Sequence, residues 1–256
     1  MYEMQEKRCP YCLGTKITRK GWNRKHTKRC YHCKACGSRY VEGGKDYFID
    51  QDKIALIDRL LLERISLRGI GRAAEVSLRW LMSYIKVRYQ KVPDDLHFKP
   101  TVKSDRVRGR SYIRLIKSEL DEMWSFVGKR ANKRWIWLAQ CRETRQIIAF
   151  HIGGRGRKAA RALWEKIPQL VQEYGLFYTD DWDAYQKVLP EERHVVSDYK
   201  KDTNHIERFN NTLRQRTSRL VRKALSFSKI DRNHYGAIKY FIAHYNLTLQ
   251  TTGTLL

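Results

Sequence analysis

Residues 119–127 read ELDEMWSFV, a run typical of a β-strand that carries acidic side chains. Two more strand-like runs follow at 134–141 (RWIWLAQC) and 146–152 (QIIAFHI), and Gly153-Gly154 ends the last of them. The pattern then alternates between helix and strand, with Pro168 weakening the middle of the first helix. These later elements are predicted at 157–174, 176–180, 194–197, 203–224 and 232–247. Three strands followed by crossovers predict a mixed α/β domain over residues 118–256.

Three acidic residues lie in three separate elements of this domain. Asp121 lies in the first strand, Asp180 ends the apolar run LFYTD, and Glu207 begins a long basic helix. Carboxylates are ligands for Mg²⁺ or Mn²⁺, and two such ions roughly 3.5–4 Å apart catalyse phosphoryl transfer. The order of elements fits a ribonuclease-H-like fold, which brings acids from these positions together. Asp181 competes with Asp180 for the second role, but it is also placed to cap the next helix.

The charge of the chain points to a polyanionic partner. Lys and Arg number 52 against 27 acidic residues, which gives a formal net charge of +25. Such an excess is typical of proteins that bind the phosphates of nucleic acids. Arg214 lies two helical turns beyond Glu207 and therefore on the same face. The candidate DNA-binding residues of this region are Arg208, Arg214, Arg216, Arg219, Arg222 and Lys223.

Residues 1–46 contain two CxxC pairs separated by twenty residues. Four thiolates, from Cys9, Cys12, Cys33 and Cys36, would bind one structural Zn²⁺ in a tetrahedral site. The segment has too few apolar residues to fold without a bound metal ion. Cys30 offers a second register with Cys33, so the exact ligand set stays open. The segment is interpreted as a zinc-binding module.

Residues 47–92 have helical periodicity. A first helix carries Ile54 and Ile57, a short second helix follows, and Ser77 is a good N-cap for a third helix. This pattern predicts a helix-turn-helix domain, with a plain three-helix packing module as the alternative. The third helix would present Arg79, Trp80, Ser83 and Lys86 to the major groove. Residues 93–117 are basic, have no apolar period and are interpreted as a linker.

Several segments resemble the IS1 family of bacterial insertion-sequence transposases. They are DEMW with Val127-Gly128, AFH at 149–151, TDDW at 179–182, IER at 206–208, NTLRQ at 211–215 and LSFSK at 225–229. The resemblance implies a DDE site formed by Asp121, Asp180 and Glu207, and Mg²⁺-dependent breakage and joining of DNA. It also implies that the zinc-binding and helix-turn-helix modules bind the terminal inverted repeats. The chain departs from the family at Asp181, where Gly is frequent, and in a slightly longer interval before Glu207.

The sequence is thus interpreted as a DNA transposase that acts as a homodimer on double-stranded DNA. Two alternatives from other classes are a metal-dependent nuclease of the same fold and a non-catalytic zinc-finger and helix-turn-helix regulator. The chain has no apolar run of the roughly 18–20 residues that cross a membrane, and its first residues do not resemble a signal peptide. It is therefore expected in the bacterial cytoplasm, associated with the nucleoid.

Overall fold

The computed structural model describes residues 7–42, 49–101, 104–107, 110–113, 115–197, 202–220 and 226–252. The chain divides into two compact units, Met1–Lys91 and Val92–Leu256. Among the described residues, no helix has both the length and the apolar character that a membrane span requires.

The first unit begins with a small antiparallel sheet whose strands are β1 (Ile17–Trp22), β2 (Arg29–Cys33) and β3 (Arg39–Val41), in that order. Three helices follow: α1 (Gln51–Leu60), α2 (Leu67–Ala73) and α3 (Leu78–Gln90). The hydroxyl of Ser77 accepts a hydrogen bond from the backbone N–H of Trp80, which confirms the predicted cap of α3. Asp58 of α1 accepts a hydrogen bond from the Tyr84 hydroxyl and so ties α1 to α3.

The second unit is a mixed α/β domain built on one five-stranded sheet. After a hairpin of β4 (Ser104–Val107) and β5 (Arg110–Ile113), its strands are β6 (Ile116–Phe126), β7 (Lys133–Cys141), β8 (Ile147–Gly153), β9 (Gly175–Thr179) and β10 (His194–Val196). Its helices are α4 (Arg157–Trp164), α5 (Gln169–Tyr174), α6 (Asn204–Arg216) and α7 (Asp231–Thr252). The sheet order is β10-β9-β6-β7-β8, so β6 is central.

Strands β6, β7 and β8 form an antiparallel meander, whereas β9 runs parallel to both β6 and β10. Side chains alternate between the two faces of the sheet. Leu120 and its partner Ala139 lie on the face that packs against α4, together with Leu163 of that helix. Glu119 and Asp121 therefore lie on the opposite face, which α6 covers.

Three details differ from the sequence-based prediction. Pro168 does not merely weaken a long helix but separates it into α4 and α5, because its backbone is extended at ψ 142°. The helix that begins near residue 203 ends at Arg216 rather than near 224. The segment 93–117 is not a plain linker, because Phe98 packs in the core of the second unit and β4 and β5 form a hairpin.

Candidate functional site

Asp121 lies on the central strand β6, facing α6. Its Oδ1 accepts the backbone N–H of Glu122 at 2.8 Å, and its Oδ2 accepts the Asn210 side-chain amide of α6 at 2.6 Å. The pKa of Asp121 is raised from 3.8 to about 6, chiefly by burial and in addition by the charges of Asp180 and Glu207. The fold therefore brings Asp180 and Glu207 close enough to Asp121 for their charges to act on it.

Asp180 follows the last residue of β9. Since β9 is parallel to β6 and Tyr178 pairs with Glu119, the register carries Asp180 alongside Asp121. Its Oδ1 accepts the backbone N–H of Trp182 at 3.2 Å, which shapes the loop. Asp181 does not cap the following turn. Trp182 occupies the N-cap position of the 3₁₀ turn Asp183–Tyr185, and no side chain among the described residues caps that turn.

Glu207 lies in the first turn of α6, where its Oε1 accepts a hydrogen bond from the Thr203 hydroxyl at 3.5 Å. The start of this helix is fixed by a second acid that the sequence analysis missed, Glu119. Its fully buried carboxylate accepts the backbone N–H groups of His205 at 2.9 Å and Ile206 at 3.0 Å, and it pairs with Arg142 at 2.9 Å. Glu119 thus caps α6 from β6 and sets Glu207 relative to Asp121.

Glu122 follows Asp121 on β6 and points to the opposite face of the sheet, where an acidic side chain on a strand is normally exposed. The residue is only 8% exposed, because α4 and the residues after β9 cover its face of the sheet. Its carboxylate accepts hydrogen bonds from Arg155 at 3.1 Å and from the Tyr185 hydroxyl at 3.3 Å. Burial, and then the charges of Asp121 and Asp180, raise its pKa to about 7.

Arg155 connects Glu122 to the loop that carries Asp180. Its guanidinium lies between two indole rings, 4.3 Å from the ring centre of Trp135 and 4.0 Å from that of Trp182. The indole N–H of Trp182 donates to the backbone carbonyl of Arg155 at 3.1 Å. These contacts hold Trp182, whose backbone N–H binds Asp180, in one position.

The donor set fits a hard divalent cation. Asp121, Asp180 and Glu207 are oxygen donors, and a cation would lower the raised pKa of Asp121. Asn210 directs its amide N–H to Asp121, while its buried Oδ1 has no hydrogen-bond partner among the described residues. The ligand oxygens of these three carboxylates do not all lie within 4.8 Å of one another.

The four predicted zinc ligands form one buried cluster. Ligand atoms of Cys9, Cys12, Cys33 and Cys36 all lie within 4.8 Å of one another, the one such group of potential metal ligands among the described residues. The Sγ atoms of Cys9 and Cys36 are 3.7 Å apart, and the pKa of Cys9 is lowered to about 5, chiefly by a hydrogen bond from the Cys12 thiol. Cys30 is half-buried and lies outside the cluster. Four sulfur donors at this spacing fit tetrahedral Zn²⁺.

The candidate DNA contacts on α3 need one correction. Trp80 is 5% exposed, stacks on Tyr84 and donates its indole N–H to the carbonyl of Pro10 at 3.2 Å. It is therefore a core residue of the first unit. The physical reason is helix geometry, since Trp80 projects roughly 100° away from Arg79. Arg79 is exposed, and Ser83 and Lys86 are partly exposed on the same side of the helix.

The candidate DNA contacts of the second unit lie on and after α6. Arg214 donates to the Trp124 carbonyl at 3.5 Å, beside β6, and Arg219 donates to the Ser228 hydroxyl at 3.2 Å. Arg208 is exposed, and the guanidinium of Arg216 lies 5.5 Å from the ring centre of Phe241. Arg222 and Lys223 lie outside the described residues.

Comparison with known proteins agrees with this arrangement. A family model described as IS1 transposase matches residues 114–247. The chain is 37% identical over 124 residues to insertion element iso-IS1n protein InsB of Shigella dysenteriae, covering 48% of this chain and 92% of that protein. It is 36% identical over 135 residues to insertion element IS1 protein InsB of Shigella flexneri, covering 51% of this chain and 98% of that protein. The chain belongs to the IS1 transposase family.

Proposed function

We propose that the chain is a DDE transposase that cleaves the ends of an insertion sequence and joins them to target DNA. The observation that carries this proposal is that the parallel register of β6 and β9 sets Asp180 beside Asp121, while α6, which carries Glu207, contacts Asp121 through Asn210. When bound, two Mg²⁺ or Mn²⁺ ions would activate the attacking oxygen and stabilise the leaving oxygen at phosphorus. The attacking oxygen belongs to water during cleavage and to the freed 3′-hydroxyl during joining.

The neighbouring residues have distinct roles in this proposal. Asn210 orients the Asp121 carboxylate, and Glu119 fixes the helix that carries Glu207. Arg214 lies beside β6 on the Glu207 side of α6, where its guanidinium would bind an oxygen of the scissile phosphate. Glu122 and Arg155 hold the loop after Asp180 from the other face of the sheet.

The sheet supports a ribonuclease-H-like fold for this domain. An antiparallel meander, β6-β7-β8, is extended on the other side of β6 by two parallel strands. The acids lie on the first strand, after the fourth strand and on a later helix, as that fold requires. We further propose that the zinc cluster and α1–α3, as a helix-turn-helix, bind the terminal inverted repeats. Since two transposon ends must be joined together, we expect a homodimer on DNA in the bacterial nucleoid.

The test is joining of pre-cleaved end DNA to a plasmid with Mg²⁺ or Mn²⁺. Only a transposase must hold a 3′-hydroxyl in line with a second phosphate. Wild-type protein should give joined product, and Asp121→Asn, Asp180→Asn and Glu207→Gln should each abolish it while DNA binding persists. Asp181→Asn is the matched control and should stay active.

Two results would favour the alternative functions. Efficient nicking without joined product, with both metals and several flank lengths, would identify a nuclease. Sequence-specific DNA binding without any metal-dependent nicking would identify a regulator.

A further inference from the structure

Helix α6 presents two functional faces. Glu207, Asn210 and Arg214 form the face that meets β6 and the carboxylates. Arg208, Thr212 and Arg216 follow one another at intervals of four residues and form a second face, which the 3.6-residue period rotates away from the first by more than 90°. The proposed cleavage chemistry uses only the first face.

The second face borders a cavity of about 270 Å³ between α6, α7 and the end of β7. Three arginines line it, together with polar and aromatic side chains: Arg145, Arg208 and Arg216, with Gln140, His205, Phe209, Thr212 and Tyr245. Among these described lining residues none is acidic. Three guanidinium groups at one cavity form a strongly cationic site.

Arg145 is held at this cavity at a conformational cost. It has a positive φ of 62°, unfavourable for a side chain of its size, in the turn between β7 and β8. Its backbone N–H donates to the Cys141 carbonyl at 2.9 Å, and its carbonyl accepts the Gln140 amide at 2.7 Å. Its Nη1 is buried without a hydrogen-bond partner among the described residues. An unpaired guanidinium N–H in a strained turn indicates that this group can bind an acceptor from another molecule.

Glu119, the acid whose charge acts on Arg145, is already paired with Arg142. Glu119 lies 3.9 Å from the imidazole of His205 and acts on Arg145 through its charge. Its carboxylate is bound by Arg142 and by two backbone N–H groups of α6. The cavity therefore keeps its positive character beside this acid. The buried Oε1 of Gln140 has no hydrogen-bond partner among the described residues and can accept a hydrogen bond from water.

We propose that this cavity binds a backbone phosphate of DNA other than the phosphate that is cleaved. Guanidinium groups bind phosphate oxygens in paired hydrogen bonds, which a single anion can receive from Arg145, Arg208 and Arg216. The inference rests on the proposed function in one respect, that the chain binds DNA. It assigns to α6 the positioning of two phosphates, one on each face.

The test is DNA binding by full-length protein, followed by fluorescence anisotropy without added divalent ions at several salt concentrations. Arg145→Gln and Arg208→Gln should each weaken binding about tenfold. They should also make the slope of log affinity against log salt shallower by about 0.9, the value for one lost phosphate contact. Arg161→Gln is the control, since Arg161 is exposed on α4, across the sheet. Thermal unfolding of each variant checks that the fold is retained.

Duplexes with a single neutral methylphosphonate then identify the contact. At one position the substitution should weaken binding by wild-type protein more than binding by Arg208→Gln, in which only Arg145 and Arg216 remain to bind that phosphate. Equal losses in Arg161→Gln, or an unchanged slope in both cavity variants, would overturn the proposal while leaving the transposase function intact. Stabilisation of the fold by inorganic phosphate, with DNA binding unaffected by the variants, would show a free-phosphate site and also overturn it. Failure of wild-type protein to bind DNA would overturn the proposed function as well.

Discussion

The replacement Asp121→Asn should stabilise the metal-free protein although it removes a proposed catalytic group. The pKa of Asp121 is raised from 3.8 to about 6, so its ionised form is less favourable in the folded chain than in the unfolded chain. This difference corresponds to at most about 3 kcal/mol, and partial solvent access reduces the expected gain to about 1.5–3 kcal/mol. The asparagine keeps the bond from the Glu122 N–H, and its own amide can donate to the unpaired Oδ1 of Asn210 if that amide flips.

The difference in unfolding free energy between the variant and wild type should increase with pH. Below pH 3.8 Asp121 is protonated in both states and the variant gains nothing from the lost charge. As pH rises from 3.8 to 6 the wild-type chain loses stability, and above pH 6 the full difference remains. Removal of this charge also lowers the raised pKa of Glu122, which adds to the gain.

The assay is urea unfolding of both proteins between pH 4 and pH 8, without and with Mg²⁺. Mg²⁺ should stabilise the wild-type protein and leave the variant unchanged, because only a bound ion offsets the carboxylate repulsion. A variant less stable than wild type at pH 7.5, or a difference that does not change with pH, would refute the reasoning.

Three pairs of changes test the structure of the two units. Glu119→Ala should lower the free energy of unfolding by about 2–4 kcal/mol in urea titrations, because it removes the cap of α6 and leaves buried donors unpaired. Asp202→Asn, which alters the more exposed partner of Arg142, should cost less than about 1 kcal/mol. Chelation of zinc should make residues 7–42 sensitive to protease while the second unit stays resistant, and Cys30→Ser should retain one zinc by mass spectrometry. Trp80→Ala should destabilise the first unit by about 3–5 kcal/mol, whereas Arg79→Ala should weaken DNA binding in gel-shift titrations and change stability by less than about 0.5 kcal/mol.

The local parts of the fold are predictable from the sequence because their signals are local. Runs of apolar and aromatic residues located β6, β7 and β8, and the spacing of the two CxxC pairs located the zinc cluster. Ser77 was recognisable as a cap because its bond spans only three residues. In each case the interacting groups lie close together in the chain or repeat with a fixed period.

The supporting contacts of the site were not predictable, because their partners are distant in sequence. Glu119 binds backbone groups 86 and 87 residues away, and Glu122 binds Arg155 33 residues away. An acid on a strand is normally exposed, so nothing in its immediate neighbourhood indicated that Glu122 is buried. Trp80 was a different case: the helical period already separates it from Arg79, and that signal was available in the sequence.

The most direct test of the account is to map a bound ion on the chain itself. Fe²⁺ in place of Mg²⁺, with ascorbate and peroxide, generates radicals that cut the polypeptide next to the metal. Zinc-loaded protein should be cut near Asp121, Asp180 and Glu207 together, and excess Mg²⁺ should suppress all three cuts, as should Asp121→Asn. Cuts near one of the three residues alone, or cuts that persist in Asp121→Asn, would contradict a single metal site shared by these carboxylates.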